Sequence, residues 1–165
     1  MKFISALLIT IFGVTAAHAD HHSLQIDDCI PGSAANGYGQ SSYLLEPWSE
    51  NSYLIQDHQI RLAVLTNGND EYPGYYLMVL GKAPTFQHDP GPRQCRIITF
   101  EGSTGFSKVD MDSLSVNSTE SRGREVIIFS LQVETTSSDS LTQTKNISVG
   151  FFTEDGNVWA HFEEI

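Results

Sequence analysis

Hydrophobic and polar residues alternate along much of this chain, and the alternation is clearest near its C-terminal end. In segment 125–135, Ile127, Phe129, Leu131 and Val133 share one face, opposite a more polar face. An apolar residue at every second position is typical of a half-buried β-strand, whose side chains point alternately to its two faces. The segment is therefore predicted to be a strand with one face in the core.

Further strand-like segments are separated by turn residues, with polar loops expected at 117–124 and 136–142. They lie at 52–56, 59–66, 75–80, 95–101, 106–116, 145–153 and 158–163. Asp155-Gly156 between the last two predicts a hairpin with a type I′ turn, because Gly accepts a positive φ. In the last segment, Val158, Ala160 and Phe162 are expected to face inward. The opposite face would carry Trp159, His161 and Glu163.

Regularly spaced short strands and the lack of a sustained helical period predict an all-β fold. We expect an antiparallel β-sandwich or barrel of about seven to nine short strands, and the pattern alone does not choose between the two. Residues 20–50 are rich in Gly, Ser, Asn and Asp and are expected to form an irregular N-terminal lead-in. Residues 51–165 would then form a single β-domain.

The first nineteen residues have the pattern of a secretory signal peptide. Lys2 precedes an apolar run of about twelve residues, which is too short to span a bilayer. Ala17-His18-Ala19 matches a small-x-small cleavage site, so the mature chain is expected to begin at Asp20. The protein is therefore predicted to be secreted or periplasmic and to have no membrane anchor after cleavage.

The charge of the chain excludes some classes of partner. The net charge is −11, and removal of residues 1–19, which hold Lys2 and no acidic residue, makes it one unit more negative. A surface this acidic repels nucleic acid and anionic lipid. No cluster of basic residues offsets the repulsion, so we expect no nucleic-acid binding.

The chain contains two cysteines, Cys29 and Cys95. An even number of cysteines in an exported protein favours a disulfide bond. If the bond forms, neither cysteine can act as a nucleophile.

The usual catalytic motifs are missing from the sequence. It has no G-x-S-x-G elbow, no Gly-rich phosphate loop, no H-E-x-x-H motif and no paired C-x-x-C. A hydrolase with scattered catalytic residues stays possible, because catalytic triads are defined in space. It would use a histidine, either His88 or His161, with nearby acids, whereas His58 fits a polar turn.

Several weaker motifs are explained equally well by turn or surface chemistry. Asp110 and Asp112 have the spacing of the start of a calcium loop, and 67–71 is a second acidic turn, but neither has the remaining ligands. Asn117 and Asn146 match the N-glycosylation pattern, which matters only in a eukaryotic source.

The sharpest candidate site is the expected mature N-terminus, Asp20-His21-His22. A histidine at position three resembles the amino-terminal copper- and nickel-binding motif. The free amine, two backbone nitrogens and the His22 imidazole can supply four nitrogen ligands in a plane, which suits Cu(II) or Ni(II). The His21 imidazole could help to hold Cu(I).

These observations favour an exported, soluble, non-enzymatic β-domain that binds a ligand or partner. Exposed aromatic residues could line a carbohydrate or peptide surface, or could instead be core or loop anchors. These aromatic candidates are Tyr38, Tyr43, Trp48, Tyr72 and Trp159. The alternatives are copper or nickel handling through the mature N-terminus and a small exported hydrolase.

Overall fold

The alternating segments of the chain form β-strands. The computed structural model describes residues 24–29, 43–55, 57, 59–68, 71, 74–81, 94–100, 105–136 and 140–163, and within these ranges the chain forms strands and turns without a helix. The ten strands are β1 (Leu24–Asp28), β2 (Tyr43–Leu44), β3 (Ser52–Ile55), β4 (Ile60–Thr66), β5 (Tyr75–Gly81), β6 (Gln94–Phe100), β7 (Lys108–Ser121), β8 (Arg124–Thr136), β9 (Thr142–Phe152) and β10 (Val158–Phe162).

The strands form two antiparallel sheets. The first has the order β1-β6-β5-β4, and β2 and β3 then pair with successive parts of β4, so together they fill one edge position. The second has the order β10-β9-β8-β7. The prediction of an antiparallel all-β fold is confirmed, and the arrangement is a sandwich of nine strand positions rather than a barrel.

The core lies between the two sheets. The face of β8 predicted to be apolar is buried, and Phe129 has no exposed surface. Phe106 and Phe151 are buried beside it, against residues of the first sheet such as Leu62 and Leu77. The inward face of β10 also packs on this core as predicted.

The lead-in is more regular than the sequence analysis expected. Leu24–Asp28 forms strand β1, which pairs with β6 at the edge of the first sheet. A disulfide bond joins Cys29 to Cys95, as predicted, and the Cys29 amide donates to the Cys95 carbonyl at 3.3 Å. Turn-forming residues elsewhere in 20–50 concealed this short strand, whose own polar residues fit an edge position.

The prediction of a loop at 117–124 is wrong. Strand β7 continues to Ser121, and the chain turns only at Arg122 and Gly123, whose φ angles are 54° and 77°. Two residues with positive φ between paired strands are the signature of a type I′ turn. The end of β7 lies at a sheet edge and is exposed, so it needs no apolar alternation, and its polar sequence resembled a loop.

The β9–β10 hairpin is confirmed, but its type I′ turn is not. Five residues, 153–157, connect the two strands. Gly156 has a φ of 70°, whereas Asp155 has no positive φ. The Asp155 carboxylate instead accepts hydrogen bonds from the backbone and side chain of Asn157 and pairs with Arg124.

Candidate functional site

The outer face of the four-stranded sheet carries two adjacent rows of polar side chains. Each row contains one residue from β7, one from β8 and one from β9, which strand register places side by side. The fourth member is His161 of β10 in one row and Glu163, which follows β10, in the other. The first row is Ser115, Ser130, Ser148 and His161, and the second is Asp110, Gln132, Asn146 and Glu163. Eight polar side chains therefore share the outer face of this sheet.

Hydrogen bonds connect the centre of these rows. The hydroxyls of Ser130 and Ser148 lie 2.8 Å apart, and Ser148 donates to Glu163 Oε1 at 2.6 Å. Ser148 is only 6% exposed, so its hydroxyl is fixed between these partners. This chain of contacts holds the Glu163 carboxylate in one orientation at the end of the row.

A groove of about 200 Å³ follows these residues, and a smaller depression of about 90 Å³ lies beside it. Gln132 borders both of them. The polar residues that line the groove are Ser113, Ser115, Ser130, Gln132, Asn146 and Glu163. Enclosed sites for small molecules usually measure roughly 300–1,000 Å³, so this groove is smaller than a typical small-molecule site.

An irregularity in β7 shapes the groove. The pairing with β8 shifts register between Asp110 and Ser115. Within the irregular stretch, Met111 and Leu114 pack on the core. The Ser113 hydroxyl accepts a hydrogen bond from the backbone N–H of Gln132 at 2.8 Å. Bulges of this kind redirect side chains and are common beside functional sites.

A pair of stacked rings borders the polar rows. The rings of Trp159 and His161 lie 5.0 Å apart, with 17° between their planes. Trp159 lies opposite Gly150, and a Cβ at that glycine would overlap the indole. Gly150 therefore allows the indole to approach the sheet closely, next to the row that contains Ser148.

The surroundings of the groove are acidic. Three carboxylates and one ammonium group line the groove and the depression, and they belong to Asp110, Glu134, Glu163 and Lys108. Lys108 Nζ lies 3.9 Å from Glu134 Oε1, so the one cation among these lining residues already has an anionic partner. The site therefore favours neutral or cationic ligands over anionic ones.

Of the five aromatic candidates, Trp159 is placed on this face, where it is half-buried. Trp48 is half-buried and lies under the Arg61 guanidinium, 4.7 Å from the ring centre. Tyr38 and Tyr72 lie outside the described residues, as does the side chain of Tyr43. Trp48 thus acts as an anchor for the edge of the first sheet.

The candidate N-terminal metal ligands Asp20, His21 and His22 lie outside the described residues, as do His58 and His88. Within the described ranges, no group of three or more His, Cys, Asp or Glu side chains could hold a metal ion. Asp110 accepts a hydrogen bond from the Asp112 amide at 3.1 Å, which is turn chemistry rather than the start of a calcium loop.

The arrangement required of a hydrolase is only partly present on this face. Glu163 and several hydroxyls line the groove, but the Ser148 hydroxyl donates to Glu163 rather than to a histidine. The His161 ring stacks on Trp159. In the described part of the chain, this face thus shows no hydroxyl hydrogen-bonded to a histidine, which is the pair that activates a nucleophile.

The polar rows cannot be recognised from the sequence alone. Their members are separated by up to about fifty positions, and only strand register brings them together. The sequence feature that could have indicated them is the polar residue at alternate positions of segments 125–135 and 145–153, on the face opposite the core.

Comparison with protein-family models, with curated proteins and with solved structures finds no match for this chain. Among the described residues, no helix is long and apolar enough to cross a membrane.

Proposed function

We propose that this protein is an exported, non-enzymatic binding protein that recognises a carbohydrate on the outer face of its four-stranded sheet. Its export is supported by the signal-peptide pattern of residues 1–19 and by the disulfide bond, which is typical of oxidising compartments. The observation that carries the proposal is a groove lined by hydroxyl, amide and carboxylate groups, with the stacked Trp159–His161 pair on the edge strand that leads to the groove residue Glu163.

Carbohydrates present two kinds of surface, and this face has a counterpart for each. The apolar face of a sugar ring packs on an aromatic side chain, and the part of the half-buried Trp159 indole that Gly150 and His161 leave uncovered supplies one. Sugar hydroxyls both donate and accept hydrogen bonds. Ser hydroxyls, Gln and Asn amides and a carboxylate can satisfy them.

The shallow form of the groove is also consistent with a carbohydrate chain. An open site on a sheet can bind one unit of a polymer while the rest of the chain continues along the surface. Because the sheet is built from long paired strands, the polar groups are held at fixed spacing and little ordering is needed when the ligand binds.

Binding to a panel of soluble hexasaccharides tests the proposal. The panel holds hexamers of glucose in α-1,4 and β-1,4 linkage, of xylose, of N-acetylglucosamine and of glucosamine. We expect at least one to bind, with affinity reduced about tenfold in Trp159→Ala, because the loss of about 50 Å² of buried apolar contact corresponds to about 1.3 kcal/mol at roughly 25 cal/mol per Å². Calorimetric titration measures both.

Trp48→Ala is the matched control, because it removes the other tryptophan far from the groove and should leave the affinity unchanged. The proposal is wrong if no hexasaccharide binds, or if Trp159→Ala binds as tightly as the parent protein. Chromatography of each mixture after long incubation tests the non-enzymatic part, and the appearance of shorter saccharides would identify a hydrolase.

A further inference from the structure

Glu163 presents an unpaired carboxylate oxygen at the groove. Its Oε1 accepts the hydrogen bond from Ser148, and no described residue donates to its Oε2. A carboxylate can only accept hydrogen bonds, so a ligand group at this position must be a donor. The fixed Ser148 hydroxyl prevents the carboxylate from turning away.

The chemistry around Glu163 favours a charged donor. A hydrogen bond between an ammonium group and a carboxylate is roughly twice as strong as one between neutral groups. Lys108, the one cation among the described residues that line the groove and the adjacent depression, is already beside Glu134. The net charge of −11 adds a long-range attraction for cations and a repulsion for anions.

The position of the aromatic pair sets the length of the ligand. Trp159 and Glu163 are four residues apart along one edge of the sheet, which corresponds to about 13 Å at roughly 3.3 Å per residue. A single sugar ring does not span this distance, so a ligand that contacts both residues contains at least two units. The His161 ring lies between the two contacts.

We infer that the groove selects an amino sugar chain, with a free amine at Glu163 and another unit of the chain against the exposed part of Trp159. This inference rests on the proposed carbohydrate-binding function and specifies its ligand class. The same backbone with hydroxyl groups in place of amines binds more weakly, and a chain of uronic acids is excluded by charge.

Three β-1,4-linked hexasaccharides that differ only at the C2 substituent test the inference. They are the hexamers of glucosamine, of N-acetylglucosamine and of glucose, which present an amine, an amide and a hydroxyl on the same backbone. At a pH where the amines are protonated and at low salt, we expect the glucosamine hexamer to bind about tenfold more tightly than the glucose hexamer. The preference should decrease as salt is added, since salt screens exposed charges.

Glu163→Gln should weaken binding of the glucosamine hexamer more than binding of the glucose hexamer and so remove the preference, because the neutral amide cannot make the charge-assisted hydrogen bond with the amine. Glu120→Gln is the matched control, since Glu120 is an exposed carboxylate at the far end of β7. It makes the same change in net charge, away from the groove.

The outcomes separate the inference from the function on which it rests. If the glucose hexamer binds and depends on Trp159 but no preference for the amine appears, the inference is wrong and the carbohydrate site stands. Equal losses in Glu163→Gln and Glu120→Gln would also overturn it, because the attraction would then come from the total charge. If none of the wider panel binds, the proposed function itself fails.

Discussion

At the scale of single residues, glycine decides where side chains can pack closely. Gly150 leaves the space that the Trp159 indole occupies, and Gly156 leaves the space for the side chain of Gln94. Gln94 Nε2 donates to the Asp155 carbonyl at 3.1 Å, so this contact joins the first sheet to the β9–β10 connection of the second. Neither role can be recognised from a sequence motif. Gly150 acts through Trp159 on the neighbouring strand, and Gly156 acts through Gln94, which is distant in sequence.

Gly156→Ala is expected to lower the free energy of unfolding by about 1–3 kcal/mol. The positive φ of 70° strains any residue with a side chain, and the new Cβ would also collide with Gln94. Unfolding in urea measures the change. Gly123→Ala separates the two effects, because its φ is 77° but no atom lies within 4 Å of the Cβ position. A loss as large at Gly123 would show that the Gln94 contact contributes nothing.

At the scale of strands, hydrogen-bonded pairing rather than apolar composition determines which segments form β-strands. Strand β7 is largely polar towards its end, yet it pairs with β8 up to the turn at Arg122. Strand β1 has one hydrogen-bonded neighbour, β6, and the disulfide between Cys29 and Cys95 fixes it there. Edge strands of this kind depend on a few specific contacts.

Replacement of both cysteines by serine is expected to lower the free energy of unfolding by about 2–5 kcal/mol, since the bond closes a long loop in the unfolded chain. The two cysteines are 66 positions apart. Urea unfolding of the variant and of the oxidised parent measures the difference. Saccharide binding at the outer face of the other sheet should be retained, and its loss would show that the two sheets are more strongly coupled than their packing indicates.

At the scale of the whole molecule, the sandwich separates the apolar core from the face of the proposed binding site. The inner faces supply one continuous apolar core, and the outer face of the four-stranded sheet is free to carry polar groups. Export affects a different part of the chain, because cleavage after Ala19 would create a new N-terminus at Asp20. That segment lies outside the described residues, and its metal binding stays a prediction from sequence.

The exported protein, confirmed by mass to begin at Asp20, is expected to bind one Cu(II) and to show the visible absorption of a planar nitrogen site. His22→Ala should abolish this band, whereas His21→Ala should preserve it, because only the third residue completes the plane. Binding should weaken as the pH falls, since the backbone nitrogens must lose protons. An unchanged band in His22→Ala would contradict the predicted ligand set.

Much of the fold could be predicted from local pattern. The alternation around Phe129 and the apolar face of Val158, Ala160 and Phe162 identified real strands with the correct inward faces. The polar end of β7 could not be recognised, because an exposed edge strand is not required to be apolar. In the candidate site, the shared outward face of Trp159, His161 and Glu163 could be predicted from their alternation, whereas the serine and amide side chains beside them could not, since these lie on other strands.

The sequence by itself determined the class of fold, the paired cysteines and the inward faces, because each follows from side-chain periodicity or from the number of residues of one kind. Only the tertiary structure decided that the sheets form a sandwich and that Ser130, Ser148 and Glu163 meet. Strand register sets these contacts, and it is decided by the packing of the entire core. A shift of one residue would turn the same polar side chains towards the inside.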